Sequence, residues 1–350
     1  MAKPQARILV SCPRSKSGGV YQFVNNVLPF LPGTPILLYR GSKKTTIRIP
    51  GSVWLLFTLF KAIVILATRR PDYAIINSSL SKECLIRDGI LIWLLRLFRI
   101  PVYLIIHGFE EEALKYDALL RNTYFKAKKI FVLAKSFALL LQNAGYKGKI
   151  VSQYNPVAID LLEKLEAKTL NGRLDNFLFL SRVEANKGIF ITLDMFCQYC
   201  LVNPKASLVV AGNGNALAEA KAYAGERGMN SVEFLGFISG KEKENAYQQA
   251  DLMILPTTHK EGLPITVLEA MAAGVIVITR PIGGLVDLHE QIEFGALTSS
   301  LDAQDYFAIV QKLDNEESIL KLKQQNREFA REHFHPRKIV EGLLLEIEND

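Results

Sequence analysis

Short apolar runs of strand length alternate with longer segments whose apolar residues recur every three or four positions, along almost the whole chain. The runs at Arg7 to Ser11, Pro35 to Tyr39, Tyr73 to Asn77, Val102 to Ile106, Ile130 to Leu133 and Lys149 to Ser152 predict strands in the first half. Those at Phe177 to Leu180, Ser207 to Ala211, Val232 to Leu235, Leu252 to Leu255 and Val275 to Thr279 predict strands in the second. The segments between them are too long for strands and read as helices. Strand and helix in regular alternation is the pattern of parallel sheets wound with helices. The cycle runs twice.

Between the two cycles the alternation pauses in "YNPVAIDLLEKLEAKTLNGRLD", first at Asn155-Pro156 and again at the polar Asn171-Gly172 turn. This predicts one domain over 1–155 and a second over 156–335. After His335-Pro336, "RKIVEGLLLEIE" predicts an amphipathic helix within 336–350 that has no strand after it and can pack back on either domain. A chain of 350 residues is long for one core and suits two. Two such sheets, with the carboxyl ends of their strands pointing into a common space, are expected to form a cleft lined by loops and helix amino termini. Chemistry is expected there.

Composition narrows the class without naming a function. With 49% hydrophobic and 22% charged residues, the chain is a folded globular protein rather than a disordered one. Nothing at the start resembles a signal peptide, so a cytoplasmic protein is expected. The longest apolar stretch, Val53 to Thr68, is interrupted by Lys61 and falls short of the roughly 20 residues that span a bilayer, so it reads as a helix and not a crossing. Four cysteines are too sparse for a disulfide framework. Cys197 and Cys200 form a C-x-x-C, but no second pair or nearby histidine completes a metal site, and two thiols on one buried helical face are expected.

Charge is distributed unevenly. Residues 1–155 hold 23 Lys and Arg against 7 Asp and Glu, a net of +16, whereas residues 156–350 hold 19 against 28, a net of −9. The asymmetry argues for two domains with different partners. A basic amino-terminal half suits an anionic surface such as phospholipid headgroups or a lipid-linked phosphate, with a solvated basic face as the alternative. Nucleic acid fits poorly, because no recognisable motif or aromatic interleaving accompanies the cations.

The stretch "HKEGLPITVLEAMAAG", residues 259 to 274, holds the clearest chemistry. Pro264 suits the first position of a helix, and Gly274 suits the left-handed residue after its end. Glu261 then falls in the loop ahead of the helix, and Glu269 about a turn and a half inside it. Unpaired N–H groups at the helix mouth favour an anion such as phosphate. Each carboxylate can accept hydroxyl hydrogen bonds. A phosphate flanked by two diols describes a nucleotide sugar. A solvated Glu261 and a merely decorative Glu269 remain an alternative at this level.

The wider context resembles glycosyltransferase family 4, retaining enzymes with the two-domain GT-B fold. "HKEGLPITVLEAMAAGVIVITRPIGGLVDL" resembles the family's E-x7-E region, and "SGGVYQFV", "IIHGF", "SRVEANKG", "LVVAGNGN", "VEFLGFIS" and "ADLMILPT" follow in the family's order. The resemblance spans nearly the whole chain and is strongest from Phe177 to Leu288. It implies a GT-B fold: two Rossmann-like, doubly wound parallel-sheet domains, with the acceptor bound by the first and the nucleotide sugar by the second.

Carried over residue by residue, Glu261 looks like the carboxylate on the donor sugar's hydroxyls, with Gly262 and Leu263 beside it. Glu269 looks like the one that holds the ribose, and Arg182 and Lys187 match the basic pair on the diphosphate. Cations placed there stabilise the negative charge that grows on the leaving group, although alone an Arg and a Lys in a strand-to-helix loop are unremarkable. Gly18 and Gly19, after the first strand, let backbone N–H groups approach the donor phosphates. His107 is expected at a strand end, projecting from a sheet edge, where it orients donor or acceptor; Gly283-Gly284 match a loop near the phosphate. No D-x-D and no histidine cluster with ligand spacing occur, so no metal or other cofactor is expected.

The expected reaction moves a hexosyl group from a UDP- or GDP-sugar to a hydroxyl of a glycan, glycolipid or polysaccharide intermediate, with retention. Apolar helical faces carrying Lys61, Arg69, Arg70, Arg96 and Arg99 suit peripheral contact with an anionic inner leaflet. A non-catalytic GT-B module that binds nucleotide sugar or partners another transferase is the alternative. The joint presence of Arg182, Lys187, Glu261 and Glu269 speaks against it.

Overall fold

The computed structural model describes residues 6–15, 18–41, 51–260, 262–313 and 315–349. The chain divides into two compact units, one of Met1–Pro156 with Lys260–Leu263 and Pro336–Asp350, the other of Val157–His259 with Pro264–His335. The first unit holds β1 (Ile8–Pro13), β2 (Ile36–Arg40), β3 (Tyr73–Leu80), β4 (Val102–Phe109), β5 (Lys129–Val132) and β6 (Lys149–Ser152). They form one sheet in the order β2-β1-β3-β4-β5-β6, parallel throughout. The second unit holds β7 (Asn176–Leu180), β8 (Ser207–Ala211), β9 (Val232–Gly236), β10 (Leu252–Leu255), β11 (Ile276–Thr279) and β12 (Gly295–Leu297). Its sheet runs β12-β11-β10-β7-β8-β9, again parallel.

Helices cover both faces of each sheet's central strands, which is why those strands read as unbroken apolar runs. Two departures from the sequence pattern have clear causes. β12 escapes notice because it is a three-residue edge strand, half-buried along its length. β3 runs past its apolar stretch because Asn77 and Ser78, although polar, are buried and hydrogen-bonded.

Both sheet orders contain a reversal. β2 lies on one side of β1 and β3 on the other; β8 lies on one side of β7 and β10 on the other. At such a switch point the loops leaving the two central strands run apart and leave a crevice at the carboxyl ends. In the second unit the crevice is bounded by the loops after β7 and β10, and in the first by those after β1 and β3.

The helix Pro336–Glu348 packs on the first unit. Its Ile339, Val340, Leu343 and Ile347 join Phe23, Val24 and Val27 of the helix Gly19–Val27 on one face of the sheet. Glu346 anchors it: buried Lys129 reaches its Oε2 at 3.0 Å and its backbone carbonyl, and Lys149 reaches Oε2 at 2.6 Å. These contacts hold the Glu346 carboxyl below the usual range, Lys149 contributing most.

Glu346→Ala leaves Lys129 buried without its carboxylate and is expected to cost about 1–3 kcal/mol. Equilibrium urea unfolding at pH 7 checks this. Because the carboxyl is depressed in the folded chain, the wild-type advantage is present at neutral pH and fades as pH falls through the acid range.

Candidate active site

In the second unit the loop after β7 runs from Ser181 to Gly188 and opens the helix Ile189–Val202. Gly188 has φ +81°, and a β-carbon there would stand 2.5 Å from the carbonyl oxygen of Pro256, the first residue after β10. The loop after β10 is tied to the same place: Thr258 N–H donates to Asn186 O at 2.8 Å, and the Thr257 and Thr258 hydroxyls donate to the same oxygen at 3.3 and 3.2 Å. On the other side, a β-carbon at Gly212 would meet Ser181 O at 1.8 Å. Val183 N–H donates to Asn213 O at 3.1 Å, and Ala216 N–H to Val183 O at 3.1 Å. The loops of three neighbouring strands, β10, β7 and β8, are thus locked backbone to backbone.

On this frame the side chains take different environments. Arg182 is 55% exposed and pairs with Glu184 at 2.8 Å. Such a pair opens at little cost, so the guanidinium is available to an anion. Lys187 is buried at the last residue of a short turn, next to Gly188. Its position ahead of the helix Ile189–Val202 puts a cation beside that helix's amino terminus.

Glu269 lies inside the helix Ile265–Ala272 and is buried. Pro264 is the residue that precedes this helix, one position earlier than the sequence suggests, and Gly274 has the expected positive φ of 65°. Both carboxylate oxygens of Glu269 are engaged: Lys243 Nζ donates to Oε1 at 2.5 Å and Tyr247 OH to Oε2 at 2.8 Å. Burial, then the neighbouring carboxylate, raises the Tyr247 phenol well above its ordinary range, so it stays a donor. Each carboxylate oxygen can accept a second bond, so Glu269 keeps acceptor capacity. Lys243 and Tyr247 were not singled out from sequence. The available signal was their four-residue spacing in "KENAY", which puts both on one face of the helix Gly240–Gln249.

Glu261 lies outside the described residues. Its neighbours Gly262 and Leu263 belong to the first unit, where Asn155 Nδ2 donates to Leu263 O at 2.6 Å. A β-carbon at Gly262 would stand 2.4 Å from the carbonyl oxygen of His107, so the fold brings these two expected site residues together. Gly283, at φ 49°, precedes the helix Gly284–His289 in the second unit.

In the first unit Gly18, at φ 90°, precedes the helix Gly19–Val27, and β-carbons at Gly18 and Gly19 would meet nothing within 4 Å. His107 departs from expectation: β4 continues two residues beyond it, and β4 is an interior strand, so the imidazole is not at a sheet edge. It is half-buried, edge-on to Phe23 at 4.7 Å, with Nε2 3.0 Å from Asn77 Oδ1.

The Asn77 amide is oriented by Ser11, whose carbonyl accepts from Nδ2 at 3.0 Å. Asn77 Oδ1 is therefore the acceptor, His107 Nε2 carries the proton, and Nδ1 carries the lone pair. Burial, with Arg40 adding to it, lowers the His107 pKa to about 3. The ring is neutral at physiological pH. Arg40 is itself buried and bonded to Asp88, which also holds Arg87 at 2.7 Å and Ser78 at 2.5 Å. One carboxylate shared by two guanidiniums leaves a surplus positive charge near the ring.

Cys197 and Cys200 are half-buried and free, where a buried pair was expected. Among the described residues, no group of three or more His, Cys, Asp or Glu is arranged so that it could hold a metal ion.

Residues 162–333, almost all within the second unit, match the family model described as glycosyl transferases group 1. The chain is 28% identical over 232 residues to alpha-monoglucosyldiacylglycerol synthase of Streptococcus pneumoniae, covering 59% of this chain and 52% of that protein. It is 33% identical over 102 residues to phosphatidyl-myo-inositol mannosyltransferase of Mycobacterium tuberculosis, covering 29% and 26%. The chain therefore spans about half, or less, of these relatives' length. Among solved structures, Anabaena Alr3699/HepE in complex with UDP and glucose shares the fold at a TM-score of 0.72 and 17% identity, covering 98% of this chain and 99% of that one.

Two outcomes test this geometry. Gly188→Ala forces a left-handed backbone on a residue with a β-carbon and drives it into Pro256 O. A loss of about 2–4 kcal/mol in chemical denaturation is expected. For His107, a depressed folded pKa means stability is fully present above about pH 6.5 and is lost as pH falls toward 3. Denaturation at pH 7 and pH 4.5 should therefore show a larger drop for the wild type than for His107→Asn.

Proposed function

We propose that this chain, on its GT-B fold, is a family 4-type glycosyltransferase that moves a hexosyl group from a UDP- or GDP-sugar to a hydroxyl of a lipid-linked glycan or polysaccharide intermediate, with retention of anomeric configuration. The observation that carries this reading is the β7–β10 switch point, where the locked loop after β7 carries exposed Arg182 and buried Lys187 while the helix beyond the loop after β10 holds buried Glu269.

In this reading the anomeric carbon gains a bond to the acceptor oxygen and loses its bond to the phosphate oxygen, and the acceptor's proton passes to the leaving phosphate. Arg182 and Lys187 stabilise the diphosphate as its charge grows. Because their loop is fixed in advance, little reorganisation accompanies the charge transfer. Helix amino termini add donors to the phosphates without a metal.

Glu269, oriented by Lys243 and Tyr247, accepts from the ribose hydroxyls. Glu261, with Gly262 and Leu263, meets the donor sugar. Neutral His107 orients a sugar hydroxyl through Nδ1, its other nitrogen being committed to Asn77. The relatives named for a diacylglycerol glucoside and for phosphatidyl-myo-inositol support a lipid-linked acceptor.

Thermal shift against UDP, GDP and their sugars, followed by turnover of the stabilising donor, tests the reading. One nucleotide is expected to raise stability by about 2.7 kcal/mol at a hundredfold excess over its Kd. Arg182→Ala and Lys187→Ala should each lower kcat by on the order of 10²–10³ without unfolding the chain, and EDTA should leave turnover intact. Binding without transfer would return the chain to the non-catalytic module.

A further inference from the structure

The helix Gly51–Arg69 is apolar on two opposite sides. On one, Ala62 and Leu66 are buried, and Leu59 and Ile65 pack beside them against the first unit's core. At about 3.6 residues per turn, Val53, Leu56, Phe57, Phe60, Ile63 and Val64 fall on the other side. All six are exposed, Leu56 by 67% and Phe60 by 63%. The neighbouring helix Lys82–Leu97 repeats the arrangement: Ile86, Trp93 and Leu97, spaced seven and four apart, are exposed as well. An outer apolar stripe on a helix whose inner stripe is already packed contributes nothing to this unit's core and calls for a partner.

Charge identifies that partner. Gly51–Arg69 contains no acidic residue; exposed Lys61 and Arg96 flank the two stripes, and exposed Arg69, Arg70 and Arg99 stand at the ends of the two helices. Residues 1–155 carry a net charge of +16. A second copy meeting this face would set like charges against each other, whereas an anionic bilayer offers hydrocarbon for the stripe and phosphate for the cations.

We infer that the first unit seats the paired faces of Gly51–Arg69 and Lys82–Leu97 in the interface of an anionic lipid bilayer, with Gly51–Arg69 lying in the membrane plane. At 19 residues and a mean hydropathy of 1.9, this helix is the one among the described residues long and apolar enough to cross a membrane. Crossing would strip Ala62 and Leu66 out of the core, so the helix stays on the surface. The inference rests on the lipid-linked acceptor of the proposed function and gives that reading a specific contact surface.

The test floats the full chain with vesicles of phosphatidylcholine, with and without about 30% phosphatidylglycerol. Binding to the anionic vesicles is expected, at least about tenfold weaker for neutral vesicles and for the double variant Leu56→Asp/Phe60→Asp. Lys61→Glu/Arg96→Glu, which leaves the apolar stripe intact, should weaken binding similarly and stands in if the first variant does not fold. Failure of the wild type to bind anionic vesicles, tighter binding to neutral ones, or unchanged binding by folded variants overturns the inference. So does a concentration-dependent dimer that the variants dissolve, since a second copy would then be the partner. Nucleotide-dependent thermal shift is read in parallel: vesicle binding lost with the shift intact sinks only the membrane face, and the converse sinks only the donor reading.

Discussion

The second unit depends on backbone packed against backbone where no β-carbon fits. Gly188 lets the β7 loop lie on the carbonyl of Pro256, and Gly212 lets the β8 loop lie on the carbonyl of Ser181. Since a carbonyl oxygen and a β-carbon cannot share that space, side-chain packing could not have joined these loops so closely. The contact then fixes the rest: Asn186 meets the threonines after β10, and Arg182 and Lys187 are carried on a loop with few ways to move. Preorganisation of this kind is what stabilising a developing charge requires.

The first unit reaches order by a different route, through buried charge. Asp88, inside the fold, is bonded to Arg40, Arg87 and Ser78, and Ser78 in turn meets Tyr124 at 2.7 Å. Charge so deep is tolerated because the Asp88 carboxylate is met by two guanidiniums and a hydroxyl, while Arg40 Nε has no partner among the described residues. The positive surplus acts on His107, already disfavoured as a cation by burial, and keeps it neutral. Ser11 and Asn77 settle which ring nitrogen bears the proton. The imidazole is therefore a fixed hydrogen-bonding group and not a titrating one.

The two units also spend their apolar surface differently. In the second, exposed apolar residues such as Leu201 and Phe237 sit at a helix end and in a loop and not in a stripe along one helix. In the first, two adjacent helices keep apolar residues in solvent on the side away from the sheet. Stability of the isolated unit gains nothing from those residues, so their presence points to surroundings other than water.

Much of the architecture was legible in the residues. Parallel strands buried on both faces need continuous apolar runs, so eleven of the twelve strands stand out, and the edge strand Gly295–Leu297 does not because three residues are too few to show a pattern. Spacing likewise put Glu269 inside a helix and Arg182 and Lys187 in a strand-to-helix loop, since local geometry depends only on near neighbours. Strand order is not a local property. Only the tertiary structure decided that β10 lies beside β7, which brings Thr258 to Asn186 across 72 positions. It alone gave Glu269 its partners Lys243 and Tyr247, placed His107 on an interior strand, and set Arg40 near enough to hold it neutral. Hydrophobic periodicity records which face of an element is buried. It carries no record of what that face is buried against, because any apolar neighbour satisfies it equally.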